Sequence, residues 1–129
     1  MIEKRYNAKV EFLDFDVSRI KKEGIFSEAN MLHIQIKDKV LKESDQVNVM
    51  LETRLFDDSD NYLEISIIGH FLIDEGYDEI LKPNLLAIMF PYLRSAISFI
   101  TSIDGKNPII IPPINFVEYC AKNGENGIK

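Results

Sequence analysis

The stretch Leu85–Phe116, LLAIMFPYLRSAISFITSIDGKNPIIIPPINF, decides the fold. Leu86, Met89, Phe90, Leu93, Ile97 and Ile100 recur at three-and-four spacing, the period of one helix face, while Leu85, Ile88, Tyr92, Phe99 and Ile103 make a second. A helix apolar on two faces needs cover on two sides. A sheet of the same chain supplies one cover, and a second copy or a partner is expected to supply the other. Pro83 and Asn84 precede the helix. Pro91, inside the pattern, predicts either a kink or two helical pieces, because proline removes a donor and crowds the preceding turn. Asp104-Gly105 ends the helix. Pro108, Pro112 and Pro113 then hold Ile109, Ile110, Ile111 and Ile114 extended. Asn115 caps a short last helix, with Glu118 three residues on in a capping-box arrangement.

Upstream the period changes to two. Ala8, Val10 and Phe12 alternate with polar residues, then the phase slips to Leu13, Phe15 and Val17, so the first strand carries a bulge or a face change. Ser18 to Asn30 has no sustained period and reads as a long connection. Leu32, Ile34 and Ile36 begin a second strand that Val40 extends. Val47, Val49 and Leu51 face one way in a third, which closes near Phe56. Asp57-Asp58-Ser59-Asp60-Asn61 is a turn. Leu63, Ile65 and Ile67 form a fourth strand, with Ile68-Gly69 expected to interrupt it before Phe71. Strands two to four read as an antiparallel meander.

The 129 residues fit one domain, taken as residues 1–121, followed by a polar tail, 122–129. At 46% hydrophobic and 28% charged residues the composition is that of a soluble globular protein. A net charge of -6 argues against nucleic acid as the main partner. No signal sequence and no uncharged apolar run of membrane-spanning length is evident. The single cysteine, Cys120, suits a reducing compartment, and a cytoplasmic location is expected.

Catalytic chemistry finds little support. His33 and His70 lie in or beside strands, in no spacing that makes a metal pair with Cys120. Cys120 has no signature of a neighbouring base or anion-stabilising site. The run from Asp57 to Asp60 lacks the glycine and distal glutamate of a calcium loop. No glycine-rich phosphate loop appears. Neither an enzyme nor a bound cofactor or metal is expected.

Pro83-Asn84-Leu85-Leu86, Phe90-Pro91-Tyr92-Leu93-Arg94, Ser98 and Pro112-Pro113-Ile114-Asn115-Phe116 resemble, in order and spacing, motifs of the SecB family of export chaperones. In that family a Phe-Pro-Tyr-Ala-Arg motif lies on the long helix and Pro-Val-Asn-Phe leads into the second. Here Leu93 replaces the alanine and Ile114 the valine. The resemblance is specific in the C-terminal half and covers most of the domain, with only the strand pattern matching before it. It implies an α+β fold: a four-stranded antiparallel sheet, a long helix packed on it and a short C-terminal helix, assembled as a dimer of dimers. First-strand edges and long helices would make the contacts, which makes Leu93, Ala96, Ile97 and Ile100 the expected oligomer interface.

The implied function is ATP-independent holding of unfolded polypeptides, including preproteins. Such a chaperone needs exposed apolar side chains in a groove. The expected client-binding residues are Ile25, Phe26 and Met31 in the connection, Ile109, Ile110 and Ile111 in the extended run, and Phe116, Val117 and Tyr119 in the last helix. Family members also dock on the SecA motor through an acidic sheet face and a C-terminal tail. Asp14, Asp16, Tyr62 and Glu64 are the counterparts on the sheet, whereas the tail after Cys120 is short. Two alternatives stand beside a role in export. One is a SecB-fold adaptor that binds a single folded partner through the acidic face, and the other is a chaperone dedicated to one client, such as an unstable antitoxin.

Overall fold

In a computed structural model the described residues are 9–26, 31–74, 77–103, 105 and 108–127, with side chains through Lys122. Four strands, β1 (Val10–Glu23), β2 (His33–Glu43), β3 (Gln46–Phe56) and β4 (Tyr62–Ile73), precede two α-helices, α1 (Lys82–Ser102) and α2 (Phe116–Gly127). The strands form one antiparallel sheet in the order β1-β4-β3-β2. The meander of β2 to β4 is as the alternation predicts, and β1 returns to pair with β4. β1 and β2 are therefore the two edge strands.

Period two sorts the faces. Val47, Val49, Leu51 and Leu55 of β3, and Leu63, Ile65, Ile67, Phe71 and Ile73 of β4, are completely buried on the helix side. Leu85, Leu86, Met89, Phe90, Leu93 and Ile97 of α1 close over them. With its leading 3₁₀ turn, Glu79–Ser102 is long and apolar enough to cross a bilayer by length and composition, but the six buried residues account for much of that apolarity.

Several expectations are corrected. β1 runs on to Glu23 rather than ending at Val17, and its partners there are Ser66 to Tyr62. The charged run Arg19 to Glu23 hides this, because the strand end lies at a sheet edge beyond the helix, where pairing needs no apolar alternation. The phase slip at Phe12/Asp14 is a register shift, and a second one lies at Val17/Arg19. β4 is continuous through Ile68 and Gly69. Gly69 allows close approach: a Cβ there would lie 2.9 Å from Met89 Sδ and 3.0 Å from Phe71 Cε1.

α1 starts before Pro83, which occupies its first turn, where a missing N–H is no loss. It continues unbroken past Pro91. The carbonyl that Pro91 cannot answer belongs to Ala87, and both residues face water, so solvent can satisfy it. Asn115 caps α2 as expected, its Oδ1 accepting from Val117 N at 3.0 Å and Glu118 N at 3.2 Å. The helical backbone then extends to Gly127, through most of the segment that composition reads as a tail.

Two substitutions test this packing with opposite signs. Gly69→Ala should destabilise the fold by about 1–3 kcal/mol, because the added methyl would force the fully buried Met89 and Phe71 side chains to shift. Thr53 is completely buried between Ile36 and Ile65, and its hydroxyl lacks a hydrogen-bond partner. Thr53→Val should therefore stabilise by about 1 kcal/mol. Urea unfolding midpoints at constant m-value measure both.

Candidate functional site

The flanks of α1 differ. Tyr92 meets Phe12 and Phe15 of β1, with ring centroids 5.7 and 4.6 Å away, so that side of the helix faces the β1 edge. Arg94, Ser98 and Thr101 lie on the other side, towards β2, and bind the extended strap 108–115. Thr101 Oγ1 accepts from Ile109 N at 2.8 Å, Ser98 Oγ donates to Ile109 O at 2.9 Å, and Arg94 Nε donates to Ile111 O at 2.9 Å.

The strap and α2 sort the residues expected to meet clients. Ile110, Val117 and Met31 are about two-thirds exposed, Ile25 is about half exposed, and Phe26, Ile109 and Tyr119 are half-buried. Ile111 and Phe116 belong to the core instead. Alternation in the extended strap turns Ile111 inward when Ile110 points out, and Phe116 packs edge-on to Phe90 at 5.3 Å. The exposed apolar residues of the strap, of α2 and of the approach to β2 are Ile110, Val117 and Met31, with Ile34 of β2 also exposed, whereas Ile25 and Phe26 follow the end of β1.

A polar anchor that the sequence reading missed joins α2 to this flank. Asp38 Oδ1 accepts from the Tyr119 hydroxyl at 2.7 Å, and Oδ2 meets Lys82 Nζ at 2.6 Å; the Asp38 side chain is only 6% exposed. A signal was present: Asp38 occupies an inward position of β2, in phase with Ile34, Ile36 and Val40. Burial and then the Asp38 carboxylate raise the Tyr119 hydroxyl pKa. Burial and a bond to Glu79 raise that of Tyr77. For Lys82 burial acts downward, but the hydrogen bond and charge of Asp38 outweigh it, and the net shift is upward. Burial also raises the Cys120 thiol, which disfavours a thiolate nucleophile there.

The outer sheet face divides the expected partner residues. Asp14 and Asp16 are open to solvent beside His70, whose Nε2 lies 2.8 Å from Asp16 Oδ2 and whose Nδ1 lies 2.7 Å from Asn48 Oδ1. Glu64 is already occupied, with Arg19 and Arg54 each 3.3 Å from one of its oxygens. Tyr62 lies under Arg54 and Lys21. His33 stacks on Phe56 at the far end of the same face, while Cys120 is on α2, so these groups form no common site.

The expected oligomer residues are also rearranged. Leu93 and Ile97 are fully buried on the chain's own sheet, and Ala96 and Ile100 are half-buried. The uncovered apolar residues are Ile88, Tyr92, Phe99 and Ile103 of α1, with Val17 and Ile20 on the helix-side face of β1. Both helix faces follow the same spacing, and spacing alone does not say which one meets the sheet.

Because Tyr77, Tyr119, Lys82 and Cys120 are all raised, the folded chain holds protons that the unfolded chain releases in alkali. Stability should be full below about pH 9 and fall as pH rises past the ordinary thiol, phenol and ammonium values of 9.0, 10.0 and 10.5. Thermal melts across pH 7–11 measure the fall. Tyr119→Phe should cost about 1–2 kcal/mol at pH 7 and make the alkaline fall shallower.

No family model matches the chain. An uncharacterized protein of Methanocaldococcus jannaschii is 40% identical over 68 residues, which cover 50% of this chain and 44% of that protein, so the match spans less than half of the relative's length. Among solved structures, the Mycobacterium tuberculosis SecB-like chaperone in complex with a ChAD peptide from the HigA1 antitoxin superposes with a TM-score of 0.68 at 12% identity, over 81% of this chain and 87% of that one. A protein of unknown function from Streptococcus agalactiae gives a TM-score of 0.50 at 7% identity, over 84% of this chain and 100% of that one. The four-stranded antiparallel sheet, the long helix laid across it and the short helix after a strap are thus a SecB-like fold.

Proposed function

We propose that the chain is an ATP-independent holdase that binds unfolded polypeptide segments without chemical change, acting in the cytoplasm. One observation carries the reading: Met31, Ile110 and Val117 stay about two-thirds exposed on the β2 flank of a SecB-like fold. Apolar side chains left exposed together on one flank mark an interaction surface. That the mycobacterial neighbour was solved with a peptide bound supports it. Assembly as a dimer of dimers goes with the reading, using Ile88, Tyr92, Phe99, Ile103, Val17 and Ile20 in place of Leu93 and Ile97. Docking on SecA would rest on Asp14 and Asp16, because the Glu64 carboxylate is shared between two arginines.

A second reading is favoured by the antitoxin origin of the neighbour's peptide: a chaperone dedicated to one client. The two differ in range. Across several unrelated, reduced and unfolded test proteins, a general holdase suppresses aggregation of most at near-stoichiometric ratio, and a dedicated one suppresses few.

Light scattering of such test proteins is the experiment. Wild-type chain should suppress it, and Ile110→Ser combined with Val117→Ser should lose at least about half of the effect with the melting temperature unchanged. Scattering equal with and without the chain for every test protein would refute the general reading. Native mass should equal four chains, and Phe99→Ser with Ile103→Ser should lower it.

A further inference from the structure

The three bonds from α1 fix the direction of the strap's main chain. In extended backbone the N–H and C=O of one residue point to the same side, and the sides alternate along the chain. Ile109 N–H, Ile109 C=O and Ile111 C=O all point to α1, where Thr101, Ser98 and Arg94 take them. The N–H and C=O of Ile110 accordingly point away from α1, and neither has a partner among the described residues. Ile110 is also 68% exposed. Pro108 and Pro112 share its side of the strap and have no N–H to offer. Between Pro108 and Pro112 the strap thus presents a strand edge with one donor, at Ile110, between carbonyls.

We propose that Ile110 is a one-residue strand edge that captures an extended, apolar segment of an unfolded polypeptide through main-chain hydrogen bonds. This rests on the client-binding reading above and adds how a client is held. Recognition by backbone is indifferent to client sequence, as a chaperone for varied segments requires, and the neighbouring apolar side chains add only a preference for apolar residues. The two prolines stop the ladder from growing past one pair, which protects the edge from aggregation. The other free edges are blunted in recognised ways. β2 bears Lys37, Lys39 and Lys42, and β1 has two register shifts.

The probe is a ten-residue peptide of alternating valine and threonine with lysine at both ends, together with two versions N-methylated on all the valines or on all the threonines. One methylated version should bind the full chain about tenfold more weakly than the parent and the other about equally, since only one parity faces Ile110. Amide exchange at Ile110 should slow at least about fivefold when the parent peptide binds. Ile110→Pro should weaken binding about as much as the harmful methylation, while Ile110→Val should not. Equal affinities for all three peptides, equal weakening by both methylations, or unchanged exchange at Ile110 would overturn the proposal and leave the holdase reading standing. Slow exchange at Ile110 before any peptide is added would overturn it too, assigning the edge to a second copy of the chain. If the wild-type chain binds neither this peptide nor any unfolded test protein, the capture site and the reading beneath it fall together.

Discussion

A single helix is too narrow for this sheet. An α-helix with its side chains is about 10–12 Å across, whereas four strands about 4.8 Å apart present a wider floor. α1 packs on β3 and β4, the two central strands. Each edge strand needs another solution. On the β2 side the strap and α2 supply a partial one. On the β1 side no described element supplies one, and Val17 and Ile20 of β1 and Tyr92 and Phe99 of α1 remain open. The exposed apolar surfaces follow from this shortage of cover, and the functional reading is built on where they fall.

The β2 flank is closed by directional bonds more than by bulk. Arg94, Ser98 and Thr101 seat the strap by its backbone, so the strap's side chains need only alternate, one inward and the next outward. Asp38, placed where its strand would otherwise carry an apolar residue, receives α2 through Tyr119 and the start of α1 through Lys82. A charge buried in this way contributes little net stability over an apolar residue of similar size, but it specifies which groups meet.

Much of the architecture was legible. The alternation in β3 and β4, the turn in which Asp57 Oδ1 accepts from Ser59 N and Asn61 N, and the Asn115 cap are local signals, and the structure keeps them. What was not legible depended on neighbours. Gly69 reads as a break until Met89 is placed above it. Pro91 reads as a kink until its side of the helix is known to face water. Leu93 and Phe99 both obey the helical period, and only the sheet chooses Leu93 for the core. Ile110 and Ile111 are identical in type and adjacent in sequence, and the bonds to α1 separate them into one residue outside and one inside.

The Asp38 anchor also bears on the order in which the molecule is built and loosened. It joins positions 38, 82 and 119, whose sequence separations are long, so it forms only after β2 and the first turn of α1 are in place. Besides the anchor, Phe116 against Phe90 and the half-buried Cys120 join α2 to the body, while the sheet is held by hydrogen-bonded ladders between all four strands. The C-terminal helix, tied on through long-range side-chain contacts and not through a ladder, is the element expected to open while the sheet stays intact.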